Sequence, residues 1–161
     1  MAPRAEAALA LPERVLVVER TLAAPRALVF KLWTDPAHAA RWWGPEGFET
    51  VALVMDVRPG GRWHRTMRGP DGALCVKHGI YREIAPPERL VFTYVNDDAQ
   101  GLPGHETLVT VTFDDLGHRT RLTLHQAAFD SVEARDGHRW GWTSCLARFA
   151  AYAAGLQDPP T

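Results

Sequence analysis

DSVEARDGHRWGWTSCLARFAAYAAGL, residues 130–156, is the stretch whose periodicity dictates what the rest of the chain must do. At about 100° per residue, His138, Trp142, Cys145, Phe149, Tyr152 and Leu156 fall on one stripe, while Arg139, Ser144 and Ala151 point elsewhere. The spacing predicts one long amphipathic helix. Asp130 with Glu133 three residues later forms the expected cap, a side-chain oxygen taking an orphan N–H while the glutamate reaches back. Gly155 near the last turn, followed by Pro159 and Pro160, predicts the end. Upstream the chain reads mainly as short strands, so this helix needs a sheet to cover.

Val15 to Thr21 is β-branched and bounded by Pro12 and Pro25, which predicts a first strand. Pro25 then opens a short helix that Asp35-Pro36 breaks, and a second short helix is predicted over Pro36 to Trp42. From Phe48 onward, turn signals at Pro59-Gly60-Gly61, Gly69 to Gly72, Pro86-Pro87, Gly101 to Gly104 and Asp114 to Gly117 separate six strands. They fall near 48–56, 61–68, 74–84, 89–96, 105–113 and 119–127. With almost no helix between them, an antiparallel meander is expected rather than parallel crossovers.

Alternation places Val109, Val111 and Phe113 on one apolar face with Leu122 and Leu124. Trp63 and Met67 share a side with Arg65, which makes that arginine a candidate interior charge. Gly79, Tyr81 and Glu83 oppose His78, Ile80 and Arg82, with the inward set left open. The expected class is α+β, a curved seven-stranded antiparallel sheet wrapped around the C-terminal helix, with two short helices after strand 1. Residues 1–13 are expected to be a flexible lead-in, 14–157 a single domain and 158–161 a tail. Gly137 and Gly141 supply no bulk to the first half of the long helix, so a cavity between helix and sheet is expected there.

Composition narrows the function classes. Lys and Arg (18) nearly balance Asp and Glu (19), for a formal charge of −1, which gives no long-range field for nucleic acid or an anionic membrane. No stretch approaches the roughly 18 apolar residues of a membrane span, and the N-terminal apolar run is too short for a secretion signal, so the cytoplasm is expected. Cys75 and Cys145 form no metal-type pair and have no visible activating partner. Among the seven histidines, His64 and His78 flank one turn, but no third ligand is evident, and exposed cross-strand packing is preferred over a metal site. The glycine pairs are turns rather than phosphate loops, and no G-x-S-x-G elbow exists. No cofactor is implied.

Thr21 to Phe30 (TLAAPRALVF), Trp33 to Pro36 (WTDP), Arg41 to Pro45 (RWWGP), Pro59 to Trp63 (PGGRW) and Met67 to Gly72 (MRGPDG) together resemble one family. Pro86 to Thr93 (PPERLVFT), Leu108 to Phe113 (LVTVTF), Thr120 to Leu124 (TRLTL), Asp136-Gly137-His138 and Gly141-Trp142 extend the resemblance over about residues 14–156. It is the family named for the activator of the heat-shock-protein-90 ATPase, within the START-like SRPBCC superfamily. The resemblance implies the helix-grip fold, with a deep pocket for apolar ligands. It also implies a range of functions: carriage of lipids, sterols, polyketides or hormones, and aromatase or cyclase chemistry. Fold alone does not choose among these.

The ligand-binding candidates are Trp33, Trp43, Trp63, Tyr81, Phe92, Tyr94 and Trp142, joined by Arg65, His138 and Cys145. Trp42 belongs to the same aromatic inventory, and Trp42 to Pro45 is read as a structural corner before a lid. His138 can hold a ligand oxygen or move a proton, the plainer alternative being a helix-start histidine bonded to a neighbouring loop. Arg65 can pair with Glu83 or Glu106 to orient a polar head group, or snorkel to the barrel mouth with its stem on Trp63; snorkelling is preferred. The leading expectation is binding of a small hydrophobic or aromatic molecule between sheet and long helix. The alternative is a cyclase- or hydrolase-like enzyme using His138 or Tyr81 on a polyketide-like substrate, which requires polar groups converging inside the pocket. A chaperone-interacting regulator ranks third, because the chain shows the one domain without the extra N-terminal domain of the eukaryotic co-chaperone. A homodimer is left open.

Overall fold

The computed structural model describes residues 10–98 and 100–157. Their order is β1 (Leu16–Leu22), α1 (Arg26–Thr34), α2 (Pro36–Trp42), β2 (Glu49–Met55), β3 (Arg62–Arg68), β4 (Leu74–Ala85), β5 (Arg89–Asn96), β6 (Thr107–Asp115), β7 (Thr120–Ala127) and α3 (Val132–Gln157). The seven strands form one antiparallel sheet in the order β1-β7-β6-β5-β4-β3-β2, so the chain meanders except where β1 returns to pair with β7. The predicted class and element order stand. No helix among the described residues is long and apolar enough to cross a membrane.

Local chemistry accounts for the helical corner. Asp35 ends α1 with its backbone N–H on the Lys31 carbonyl and starts α2 by accepting from the Ala37 N–H at 2.9 Å. Pro36 fits the first turn of α2, where a missing N–H leaves nothing unsatisfied. The two short helices therefore meet at a fixed angle, and α1 buries Val29, Phe30, Leu32 and Trp33. Trp33 becomes the centre of the aromatic core, 4.6 Å from Trp42, 5.9 Å from Phe149 and 6.1 Å from Trp142 between ring centroids.

One expectation changes at the helix start. The cap of α3 is Ser131 rather than Asp130: the serine hydroxyl accepts from the Ala134 N–H at 3.1 Å, while Asp130 stands 3.9 Å from His105 Nδ1. A serine one residue nearer the helix reaches the same orphan donor. Gly155 falls in the last turn of α3, which runs to Gln157, and Leu156, at the end of the predicted stripe, is 44% exposed. At the end of the expected lead-in, Leu11–Arg14 forms a single 3-10 turn, and the Pro12 carbonyl accepts from Arg135 on α3 at 2.9 Å. Residues 1–9 and the 158–161 tail lie outside the described residues.

Between β4 and β5 side chains replace part of the backbone ladder. Pairing runs from Lys77 and His78 to Tyr81 without backbone pairs at Gly79 and Ile80. In that gap Trp63 Nε1 donates to the Thr93 carbonyl at 3.1 Å, and the Ile80 N–H donates to Thr93 Oγ1 at 2.8 Å. Only glycine fits at position 79, since a Cβ there would stand 1.8 Å from the Thr93 oxygen and 2.5 Å from Trp63 Nε1. Gly79→Ala should therefore cost about 3 kcal/mol or more of stability through backbone displacement. Urea denaturation checks this; a loss under about 1 kcal/mol would mean the strands can separate there without consequence.

Candidate functional site

The first half of α3 stands over β3, β4 and β5 with a cavity of about 250 Å³ between them. Gly137 and Gly141 leave the space: a Cβ on Gly137 would meet nothing within 4 Å, and one on Gly141 would only touch Pro45 at 3.8 Å. Trp142 and Cys145 supply the helix wall, and Arg65, Met67, Cys75, Lys77 and Tyr94 the sheet wall. Trp43, Gly44, Pro45 and Phe48 close one end, and Trp140, 62% exposed, stands at the rim.

The end wall is a corner pinned to α3. Arg148 Nη1 donates to the Gly44 and Pro45 carbonyls at 2.8 and 3.1 Å. The Glu46 N–H donates to Ser144 Oγ at 2.8 Å, and the Gly44 N–H to Cys145 Sγ at 3.4 Å. Burial pushes the Cys145 thiol up to about 11, against the weaker opposite pull of that N–H and of the nearby arginines. Cys145 is thus a protonated structural thiol at neutral pH, and Cys75 is also free of any disulfide.

On the helix side, Trp142 Nε1 donates to Gln126 Oε1 at 2.8 Å, and Gln126 Nε2 donates to Thr107 Oγ1 at 2.8 Å. Thr107 in turn donates to the Tyr94 carbonyl at 3.0 Å, so the indole is held by a buried chain across three strands. His138 packs edge-on to Tyr94, with centroids 5.3 Å apart, and its Nε2 lies 2.7 Å from Asn96 Nδ2. The Asn96 carbonyl oxygen accepts from Lys77 Nζ, which leaves the amide N–H for His138 and makes Nε2 the acceptor. Burial, followed by the charge of Lys77, lowers the His138 pKa to about 4. The imidazole is therefore neutral at neutral pH.

Arg65 departs furthest from expectation. It does not snorkel, and it pairs with no acid among the described residues: it is 1% exposed, while Glu83 sits beside Arg89 at 3.4 Å and Glu106 is exposed. Its guanidinium lies 4.4 Å from the centroid of Trp43, and Nη2 donates to the Tyr94 hydroxyl at 3.1 Å. Nε and Nη1 have no hydrogen-bond partner among the described residues, nor has Trp43 Nε1. Desolvation lowers the Arg65 pKa, and the groups offsetting it, Tyr94, Cys145 and Cys75, include no carboxylate. The register explains the burial: Trp63, Arg65 and Met67 alternate inward along β3, and the Trp43 ring covers the guanidinium.

Of the sequence candidates, the cavity brings together Trp43, Arg65, Tyr94, His138, Trp142 and Cys145. Trp33 is central core instead, and its Nε1 is also without a partner. Trp63 and Phe92 pack behind the wall against Trp43, at 5.0 and 6.3 Å between centroids. Tyr81 is displaced to the β2–β3 turn, where its N–H donates to the Gly61 carbonyl at 2.9 Å, and burial alone raises its pKa. It does not converge with His138. Lys77 and Cys75 went unrecognised although they share parity with Gly79, because the inward set of β4 was undecided; Met67 shared parity with Arg65. Trp140 and Phe48 lie off the helix stripe and at a strand start, with no periodic signal.

On the outer face of the sheet a second hollow, about 310 Å³, lies over Trp63 and Gly79 and is edged by His64, His78 and Glu106. It is the larger by volume, but its rim consists of outward-pointing side chains rather than an aromatic enclosure. His64 and His78 do pair across the strands, their rings near-parallel at 6.4 Å, and His78 Nε2 sits 2.8 Å from Asp97. No group of three or more metal-ligating side chains comes together among the described residues.

Two consequences are measurable. An unpaired buried guanidinium costs stability, so Arg65→Met should leave the melting temperature unchanged or raise it, by about 1–3 kcal/mol equivalent, as apolar replacement of buried charge does elsewhere. A loss of that size would mean the arginine holds the fold together. His138 binds its proton more weakly folded, near pH 4, than unfolded, near 6.5. The unfolded state therefore takes up the proton first, and stability declines as pH falls from about 6.5 to about 4. His138→Gln should show a shallower decline over that window in urea titrations; parallel curves would mean the histidine is not desolvated.

The Activator of Hsp90 ATPase homolog 1-like protein family model matches residues 23–154. No curated protein matches the chain. Among solved structures, the AHSA1 protein from Silicibacter pomeroyi is 29% identical, with 89% of this chain and 99% of that one covered and a TM-score of 0.81. A Chromobacterium violaceum protein is 28% identical, covering 91% of this chain and 99% of its own, with a TM-score of 0.78. A protein from Arthrobacter aurescens, solved in solution, is 25% identical with a TM-score of 0.81, covering 91% of this chain and 90% of its own. The overall fold is thus shared with these solved proteins, and this chain belongs to the Activator of Hsp90 ATPase homolog 1-like protein family.

Proposed function

We propose that the protein binds one small apolar or aromatic molecule in the cavity between the sheet and the first half of α3. The observation that carries this reading is a cavity of about 250 Å³ walled by Trp43, Tyr94 and Trp142 at the place where α3 has glycines. Aromatic walls supply burial and stacking without conformational cost, because Trp142 is already held by Gln126. The helix-grip fold of the family supports ligand binding in general.

Size narrows the occupant. Small-molecule sites commonly run from about 300 to 1,000 Å³, and a cavity of about 150 Å³ accommodates benzene. One or two fused rings fit; a multi-ring polyketide or a long acyl chain would have to project past Trp140. Binding is supported over acid–base catalysis because His138 is neutral with Nε2 engaged by Asn96, and Tyr81 lies away from it.

Gly141→Leu tests the reading with little risk to the fold, since the helix has room at that position and leucine is the better helix former. The wild-type protein should bind 2-naphthol, followed by quenching of tryptophan emission, and the folded Gly141→Leu variant should lose that binding about tenfold or more. Equal binding by both would remove the cavity as the site.

A further inference from the structure

The cavity wall carries two cations and no acid. Arg65 and Lys77 both line it, and no Asp or Glu does so among the described residues. The protein as a whole is close to neutral, so this excess is local. The Arg65 charge is also uncompensated: Nε and Nη1 are occluded and have no hydrogen-bond partner among the described residues, and the guanidinium carbon lies 4.4 Å from the Trp43 ring centroid. Fully buried charges ordinarily come with a counter-charge, because an unpaired one is costly to desolvate. Around the guanidinium, Tyr94 holds Nη2 and Trp43 covers it, and the corner that carries Trp43 is tied to α3 by Arg148.

Resting on the reading of this cavity as a ligand site, we propose that its occupant is a small aromatic carboxylate whose charge is balanced by Arg65 and Lys77 in the cavity wall while its ring packs against Tyr94 and Trp142. The Arg65 guanidinium is occluded, so it acts on an anion through its charge in a low-dielectric wall rather than by direct contact. The Lys77 ammonium, tied to Asn96 and 5.8 Å from the Tyr94 ring centroid, adds positive potential of the same sign.

The closing experiment compares 2-naphthoate with 2-naphthamide, nearly equal in shape and different in charge at pH 7, by calorimetry on the full chain. Wild type should bind the carboxylate about tenfold or more tightly than the amide, the order of one charge interaction in a low-dielectric wall. In Arg65→Met that preference should collapse while amide binding persists. Equal affinity for the two in wild type, or a preference that survives Arg65→Met, would overturn the carboxylate assignment and leave the cavity reading intact. Binding of neither probe, with Gly141→Leu indistinguishable from wild type, would overturn the cavity reading itself. Should Arg65→Met fail to fold, Arg65→Gln serves in its place, and the wild-type comparison alone still decides whether charge is recognised.

Discussion

The hydrogen bond from Trp142 Nε1 to Gln126 Oε1 sets where the long helix sits over the sheet, and the cavity follows from it. An indole N–H buried at that depth is costly without an acceptor, and so is the amide of Gln126 on β7, itself fully buried, without a partner. Their mutual satisfaction, extended through Thr107 to the Tyr94 carbonyl, fixes the helix against three strands at one height. Toward the C-terminus the helix packs closely through Leu146, Phe149 and Ala153. Toward the N-terminus its glycines leave it clear of the sheet, and the gap is the cavity.

That geometry separates two kinds of aromatic residue that look alike in sequence. Trp33 and Trp42 serve packing: they sit with Phe149 where helix, corner and sheet converge, and Trp42 Nε1 is satisfied by the Leu32 carbonyl at 3.0 Å. Trp43, one residue further, faces the cavity and supports Arg65. Tight packing and an unfilled donor set thus lie side by side, and the rigid first makes the second possible. A buried guanidinium with unused N–H groups can persist only where neighbours cannot collapse onto it or let water reach it freely.

The degree to which the sequence was legible varied with the kind of signal. The class, the order of elements and the α2 boundaries follow from turn residues and from period, because proline, glycine and capping chemistry act within a few residues of themselves. The inward set Trp63, Arg65 and Met67 was readable from simple alternation. On β4 alternation was less decisive, since the ladder gap at Gly79 and the register shift after Tyr81 disturb the strand. Lys77 and Cys75 were hidden for that reason. Asp130 and Ser131 are both good caps, and choosing between them needs the chain direction entering the helix.

By itself, then, the sequence determined the sheet, the grip helix and the presence of space opposite Gly137 and Gly141, all consequences of backbone chemistry and side-chain volume. The tertiary structure alone decided which side chains surround that space. It turned Arg65 from an expected mouth residue into a buried one with no carboxylate partner among the described residues, moved Tyr81 away from His138, and brought Lys77 beside Asn96. The physical reason is that counter-charges and acceptors are found across strands and between elements distant in sequence. Whether a buried donor is satisfied is therefore a property of the assembled fold, and no local pattern carries it.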